Sequence, residues 1–143
     1  ELNYLLSKLR VKDVMKSPVI TVRAEDPIEQ AALLMEEHRV SGLPVLDGNA
    51  LVGILTIPDL MRALVSFLAL REGGMRVTVD LPDEPGVLAR VAAQGAPSNI
   101  VAAVTTGIQP GHKRRLVLRV AGEDAKGFAD RLKKAGIEVV DVR

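Results

Sequence analysis

The chain of 143 residues contains no cysteine and no tryptophan, and aromatic residues make up only 2% of it. Without cysteine there are no disulfides and no thiolate metal sites, which fits a cytoplasmic protein. With so few aromatic rings the core must be aliphatic, and the stacking platforms of single-strand nucleic-acid binders are missing. Only two histidines occur, His38 and His112, far apart in sequence, so a histidine-based metal site is not expected. No strong excess of charge exists either: 19 Lys and Arg against 18 Asp and Glu give a net charge of +1. Such a balance provides no global field for nucleic acid or an acidic membrane. Long apolar runs are absent as well. The longest candidate, residues 63–70, is interrupted by Ser66 and falls short of the roughly 18 residues that span a bilayer.

Alanine, valine, leucine and isoleucine dominate the hydrophobic 48% of the chain, and the 26% of charged residues is ordinary for a globular protein. Leu2, Leu5, Leu6 and Leu9 have helical spacing, and a helix here is expected to pack on something downstream. Residues 19–22 read as a strand. Asp26-Pro27 then predicts a helix with Asp26 as N-cap and Glu29 completing a capping box. Ile28, Ala31, Ala32 and Met35 form its apolar face. A strand over 43–46, a turn at Asp47-Gly48-Asn49 and a return strand over 51–55 follow. Residues 56–70 read as a second helix, and Glu72-Gly73-Gly74 as a linker.

Beyond the linker, residues 75–81 alternate in the β manner, with Val77, Val79 and Leu81 on one side. Asp83-Glu84-Pro85-Gly86 is a turn into a helix over 87–94. A strand over 99–105, a loop over 108–114 and a strand over 115–120 come next. Ala125, Phe128, Ala129 and Leu132 mark an amphipathic helix closed by Gly136. A last strand covers 137–142. The order β-α-β-β-α-β over 75–143 is the split βαβ pattern, and residues 19–70 read β-α-β-β-α. The predicted class is α+β, with a 1–10 helix or linker, a first module over 11–71, a joint at 72–74 and a second module over 75–143.

Three strings give the first module a resemblance. Val11-Lys12-Asp13-Val14-Met15 runs into Pro18-Val19-Ile20-Thr21-Val22; Ala31-Ala32-Leu33-Leu34-Met35 precedes Ser41-Gly42-Leu43-Pro44-Val45; Gly53-Ile54-Leu55-Thr56-Ile57-Pro58-Asp59-Leu60 closes it. In this order and spacing they resemble a CBS motif. The resemblance implies that such motifs pair, and that their clefts hold adenosine ligands such as AMP, ADP, ATP or S-adenosylmethionine. It implies Asp59 at the ribose hydroxyls, Thr56 at phosphate or ribose, Val19 and Ile20 against adenine, and Ser41, Gly42, Leu43 and Pro44 as the opposite wall. A helix N-terminus at Thr56 would favour a phosphate. Thr56-x-x-Asp59 is equally a capping box before an apolar run, and the sequence leaves both roles open. Only one motif is found in the chain. It opens on Glu1 rather than Met, and residues 1–15 resemble the linker that enters the second motif of a pair, so an upstream first motif is expected.

In the second module Asp83-Glu84-Pro85-Gly86-Val87-Leu88 and Asn99-Ile100 resemble the D-x-P-G-x-L turn and the N-I strand start of an ACT domain. This implies a homodimer that binds amino acids at its interface through Asp83, Gly86, Val87, Leu88, Asn99 and Ile100. Gly95 and Pro97 shorten the first helix relative to that family, and Pro85-Gly86 also serves as a plain tight turn. The run His112-Lys113-Arg114-Arg115 reads as a solvated loop. The tandem order resembles the AcuB-like proteins of acetoin utilisation. No nucleophile–base pair, metal cluster or phosphate-gripping glycine loop is recognisable. The expected function is therefore non-catalytic and regulatory, with a small-molecule effector, no cofactor, and neither nucleic acid nor membrane as partner. The alternative is a dimerisation scaffold without a ligand.

Overall fold

The computed structural model describes residues 2–122 and 124–143. The chain divides into two compact units, Glu1–Leu60 and Met61–Arg143.

The first unit contains α1 (Leu2–Lys8), α2 (Val11–Val14), β1 (Val22–Arg23), α3 (Ile28–His38), β2 (Gly42–Asp47) and β3 (Ala50–Thr56), and it ends in the first turn of α4 (Ile57–Phe67). Its sheet has the order β1-β2-β3. β1 runs parallel to β2, and β2 antiparallel to β3 through the two-residue loop Gly48-Asn49. Ala31 and Met35, one turn apart on α3, meet Val22 and Leu43 in a small core, with Ile20, Leu34, Val45, Leu55 and Leu60 packed around it.

Two local expectations change here. Asp26 does not cap α3. The N-cap is Pro27, with no side-chain cap bond, because the Asp26 carboxylate accepts the Arg23 N–H at 2.8 Å and closes the preceding turn instead. β1 is limited to two residues, since Ile20 leaves the strand to pack on the core while Val19 is exposed. Leu6 and Leu9 of the N-terminal helical pattern are exposed, so no downstream packing is seen for them. The side chains of Leu2 and Leu5 lie outside the described residues.

The second unit contains the rest of α4, then β4 (Met75–Pro82), α5 (Val87–Ala93), β5 (Asn99–Gln109), β6 (Lys113–Ala121), α6 (Ala125–Lys134) and β7 (Glu138–Val142). α4 stops at Phe67 because Ala69 adopts a left-handed φ of 49° and Leu70 N–H returns to Val65 O. The four strands lie in the order β5-β6-β4-β7, the split βαβ arrangement, and every pairing is antiparallel. One face of the sheet carries the core. Val77, Val79 and Leu81 of β4 and Leu116, Leu118 and Val120 of β6 pack with Val91 of α5 and with Ala125, Phe128 and Leu132 of α6. α6 ends as its glycine predicts: Gly136 has φ 76°, Ile137 N–H donates to Leu132 O, and Gly136 N–H to Lys133 O.

The expected loop over 108–114 is mostly strand. β5 and β6 continue to Gln109 and Lys113, leaving Pro110-Gly111-His112 as the turn. The basic run is held in the ladder by acids: Lys113 Nζ lies 2.6 Å from Glu138, Arg114 Nε 2.7 Å from Asp83 and Arg115 Nε 2.7 Å from Asp80.

Candidate functional site

In the first unit the predicted ligand residues gather at the sheet end from which β2 starts and α4 departs. Gly42 lies opposite Thr56, Leu43 opposite Leu55 and Pro44 opposite Ile54. Ile57 N–H donates to Ser41 O at 3.2 Å. Val19 and Ile20 precede β1, the other neighbour of β2. Leu43 is fully buried and Ile20 packs on the core, so both support the site from beneath. Val19 is exposed, Ser41 and the first turn of α4 reach the surface, and Thr56 and Asp59 are half-buried. Thr56 donates to Asp59 Oδ2 twice, from its N–H at 2.7 Å and from its hydroxyl at 2.6 Å. The first bond is the carboxylate half of a capping box, the hydroxyl donates to the same oxygen, and together they fix the carboxylate at the N-terminus of an eleven-residue helix, where the dipole favours negative charge.

In the second unit the turn after β4 opens a cleft of about 260 Å³. Asp83, Gly86, Val87 and Leu88 line it, together with Glu84, Leu81, Leu116, Thr105 and Arg114. Gly86 has φ 84°, a conformation that glycine adopts without strain. Arg114 grips both carboxylate oxygens of Asp83, at 2.7 and 3.2 Å. The hydrogen bond from Arg114 holds the Asp83 carboxyl below its usual value of 3.8, desolvation opposing it in part. The same pair raises Arg114. The cleft therefore has an apolar floor, a fixed carboxylate and a fixed guanidinium. Sequence reading misses Arg114, because a basic run without apolar alternation reads as a loop; Asp83 lying ahead of a cationic strand is the available signal.

Asn99 and Ile100 are not part of this cleft. Asn99 pairs with Ala121 at one end of the sheet, whereas the Asp83 turn follows Pro82, which pairs with Lys113 at the other. Eight residues of β6, from Lys113 to Ala121, separate them, or about 26 Å at the rise of a β-strand. Asn99 and Ile100 instead border the 95–98 loop. Arg131 organises that loop. Its guanidinium donates to Gln94 O at 2.9 Å, to Ser98 Oγ at 3.0 Å and to Asp124 Oδ2 at 2.9 Å. Asp124 is held below its ordinary value by the hydrogen bond from Arg131, which outweighs desolvation.

Among the described residues no group of three His, Asp or Glu is placed to hold a metal ion, and no helix is long and apolar enough to cross a membrane.

A three-stranded β-α-β-β-α unit followed by a ferredoxin-like β-α-β-β-α-β unit is the architecture of a CBS motif joined to an ACT domain. Residues 11–66 match the CBS domain family and residues 73–143 match the TTHA0829-like ACT domain family, so the chain carries both. Among curated relatives it is 44% identical over 59 residues to an inosine-5'-monophosphate dehydrogenase of Korarchaeum cryptofilum, covering 41% of this chain and 12% of the relative. It is 42% identical over 50 residues to the CBS domain-containing protein YhcV of Bacillus subtilis, covering 35% of this chain and 36% of that one. A solved protein with CBS domains from Burkholderia ambifaria aligns at 35% identity over 42% of this chain and 44% of its own, with a TM-score of 0.40. The matched stretches thus span between 12% and 44% of the length of these proteins.

Proposed function

We propose that the chain is a non-catalytic, ligand-sensing regulator that works as a homodimer. The observation that carries this reading is the Asp83–Arg114 cleft, with its apolar floor and fixed ion pair. An amino acid complements it, since the ammonium group faces Asp83 and Glu84, the carboxylate faces Arg114, and the side chain faces Leu81, Val87 and Leu116. The β5 edge supports pairing of two copies. Antiparallel alignment of β5 with β5 of a second copy would bring that copy's Asn99 to the sheet end where the Asp83 turn lies. In the first unit the site built from Val19, Ile20, Ser41, Gly42, Leu43, Pro44, Thr56 and Asp59 takes an adenosine ligand (AMP, ADP, ATP or S-adenosylmethionine). There the ribose hydroxyls meet Asp59, and the phosphate sits at the start of α4.

The relatives support a role apart from catalysis. A dehydrogenase and a protein named only for its CBS domains each share a stretch of 50–59 residues with this chain, so the shared part is not what distinguishes their activities. Membership of the AcuB-like group, with control of carbon metabolism, belongs to this proposal, as does a site of action in the cytoplasm.

A thermal-shift screen with the four adenosine ligands and the twenty amino acids tests the reading. Saturation at about a hundredfold excess over Kd stabilises by about 2.7 kcal/mol. Asp59→Asn keeps an acceptor for the Thr56 N–H and removes the charge, so it should weaken the nucleotide response. A nucleotide response unchanged in Asp59→Asn rejects the first site, and an amino-acid response unchanged in Arg114→Gln rejects the second. The two short Thr56–Asp59 bonds favour one other reading, a scaffold in which Asp59 only caps α4. That reading predicts no shift with any ligand.

A further inference from the structure

The face of the four-stranded sheet opposite its core carries three cross-strand pairs between β4 and β6: Arg76 opposite Arg119, Thr78 opposite Val117 and Asp80 opposite Arg115. In an antiparallel ladder these residues share one face. The last pair is of opposite sign and is joined at 2.7 and 2.8 Å. The first is of like sign, and like charges placed directly opposite destabilise a sheet. Among the described residues neither Arg76 nor Arg119 has an acidic partner. Asp141, opposite Thr78 on β7, is taken by Arg143 at 2.9 Å. Arg119 is anchored differently, its Nη1 donating to the carbonyls of Gly73 and Gly74 at 3.3 and 3.4 Å.

These two arginines line a cavity of about 270 Å³ whose remaining walls are apolar. Val104 and Val117, paired across β5 and β6, form its floor, and Leu68 and Leu70 close its side. The volume sits just below the usual range for small-molecule sites, about 300–1,000 Å³. The chemistry is selective. Two unbalanced cations call for an anion, Arg forks match a carboxylate, and the aliphatic walls call for a short hydrocarbon body. Inorganic phosphate would satisfy the arginines and leave the walls uncovered.

We propose that this cavity binds a small aliphatic carboxylate, its carboxylate bridging Arg76 and Arg119 and its chain lying on Val104, Val117, Leu68 and Leu70. None of these residues belongs to the turn cleft or to the nucleotide site, so the proposal goes beyond both.

Hexanoate is the probe, with hexanamide as its neutral counterpart and acetate as its tail-less one, tested on the full chain at constant ionic strength. Hexanoate should raise the Tm by about 5–10 °C when in about hundredfold excess over its Kd, and hexanamide and acetate should not. Arg76→Gln and Arg119→Gln should each abolish the response. Arg76→Glu places an anion beside Arg119 within the chain itself. It should melt higher than Arg76→Gln and ignore hexanoate. The proposal is overturned by an equal response to hexanamide, by no response to hexanoate at tens of millimolar, or by a hexanoate response that survives both glutamine variants. It is also overturned if Arg76→Glu is no more stable than Arg76→Gln, because Arg119 would then carry no unbalanced charge.

Discussion

Asp80 and Arg115 show how much a single ladder position decides. The two face each other across β4 and β6, and the Asp80 side chain is 13% exposed. The hydrogen bond from Arg115 lowers its carboxyl below the usual 3.8, against a smaller opposing effect of desolvation. A carboxyl whose folded value is depressed contributes stability above its unfolded value, near 3.9, and that contribution is lost as pH falls through the folded value. Asp83 and Asp124 are shifted in the same direction. The second unit should therefore lose stability progressively below about pH 4, and the slope of stability against pH should be shallower in Asp80→Asn than in the parent. Urea melts between pH 6 and pH 2.5 measure this; identical slopes would show that the pair contributes nothing. A second residue-scale prediction concerns Arg39. It closes α3 in the left-handed region at φ 53°, while Val40 N–H returns to Met35 O. An exposed arginine there bears a backbone cost that glycine does not. Arg39→Gly should stabilise the first unit by about 1 kcal/mol, read as a rise in its melting temperature.

At the scale of elements, the difference between what sequence reveals and what it hides lies in the partner. The helix over Ala125–Lys134 was legible because its apolar residues repeat every three to four positions and Gly136 stops it. The β4 strand was legible because Val77, Val79 and Leu81 alternate. The basic end of β6 was not legible. Lys113 and Arg114 carry no apolar alternation, and as strand residues they are matched by Glu138 and Asp83, 25 and 31 residues away. Asp26 reads as a helix cap by its position, but the backbone N–H it serves is three residues before it. The candidate turn at Asp83–Leu88 was visible as a string; its separation from Asn99 depends on strand register, which a one-dimensional pattern does not carry. The joint at Gly73-Gly74 is likewise more than a flexible spacer. A Cβ on Gly74, at φ 85°, would collide with the Val120 carbonyl, whereas one on Gly73, at φ 73°, meets open space. Gly74→Ala should cost about 2–4 kcal/mol and Gly73→Ala about 1 kcal/mol. Chemical denaturation of both variants checks the contrast, and equal costs would mean that β4 and β6 give way at Val120.

At the scale of the whole molecule the two units differ in how well each completes its own core. In the second, the apolar faces of β4, β6, α5 and α6 close on one another around Phe128 and Leu132, both fully buried. In the first, four buried side chains form the core, while Val19, Leu33, Leu51, Val52 and Ile54 are each more than half exposed. β3 is apolar on both faces, as in strands that are covered on both sides, yet only Leu55 among residues 51–55 packs on the core within the chain. Small modules gain missing burial by association, and the homodimer proposed above would supply it. The chain is expected to sediment as a dimer at about 10 μM, with a melting temperature that rises with concentration, as mass action requires. Ile54, 67% exposed, is the discriminating position. Within a single chain Ile54→Lys is a surface change of about 0.5 kcal/mol or less. In a dimer that covers β3 it buries an unpaired charge. The variant should therefore sediment as a monomer and melt at a temperature independent of concentration. If Ile54→Lys remains dimeric, association runs through other surfaces, such as the β5 edge, and the exposed face of β3 is left for a different partner.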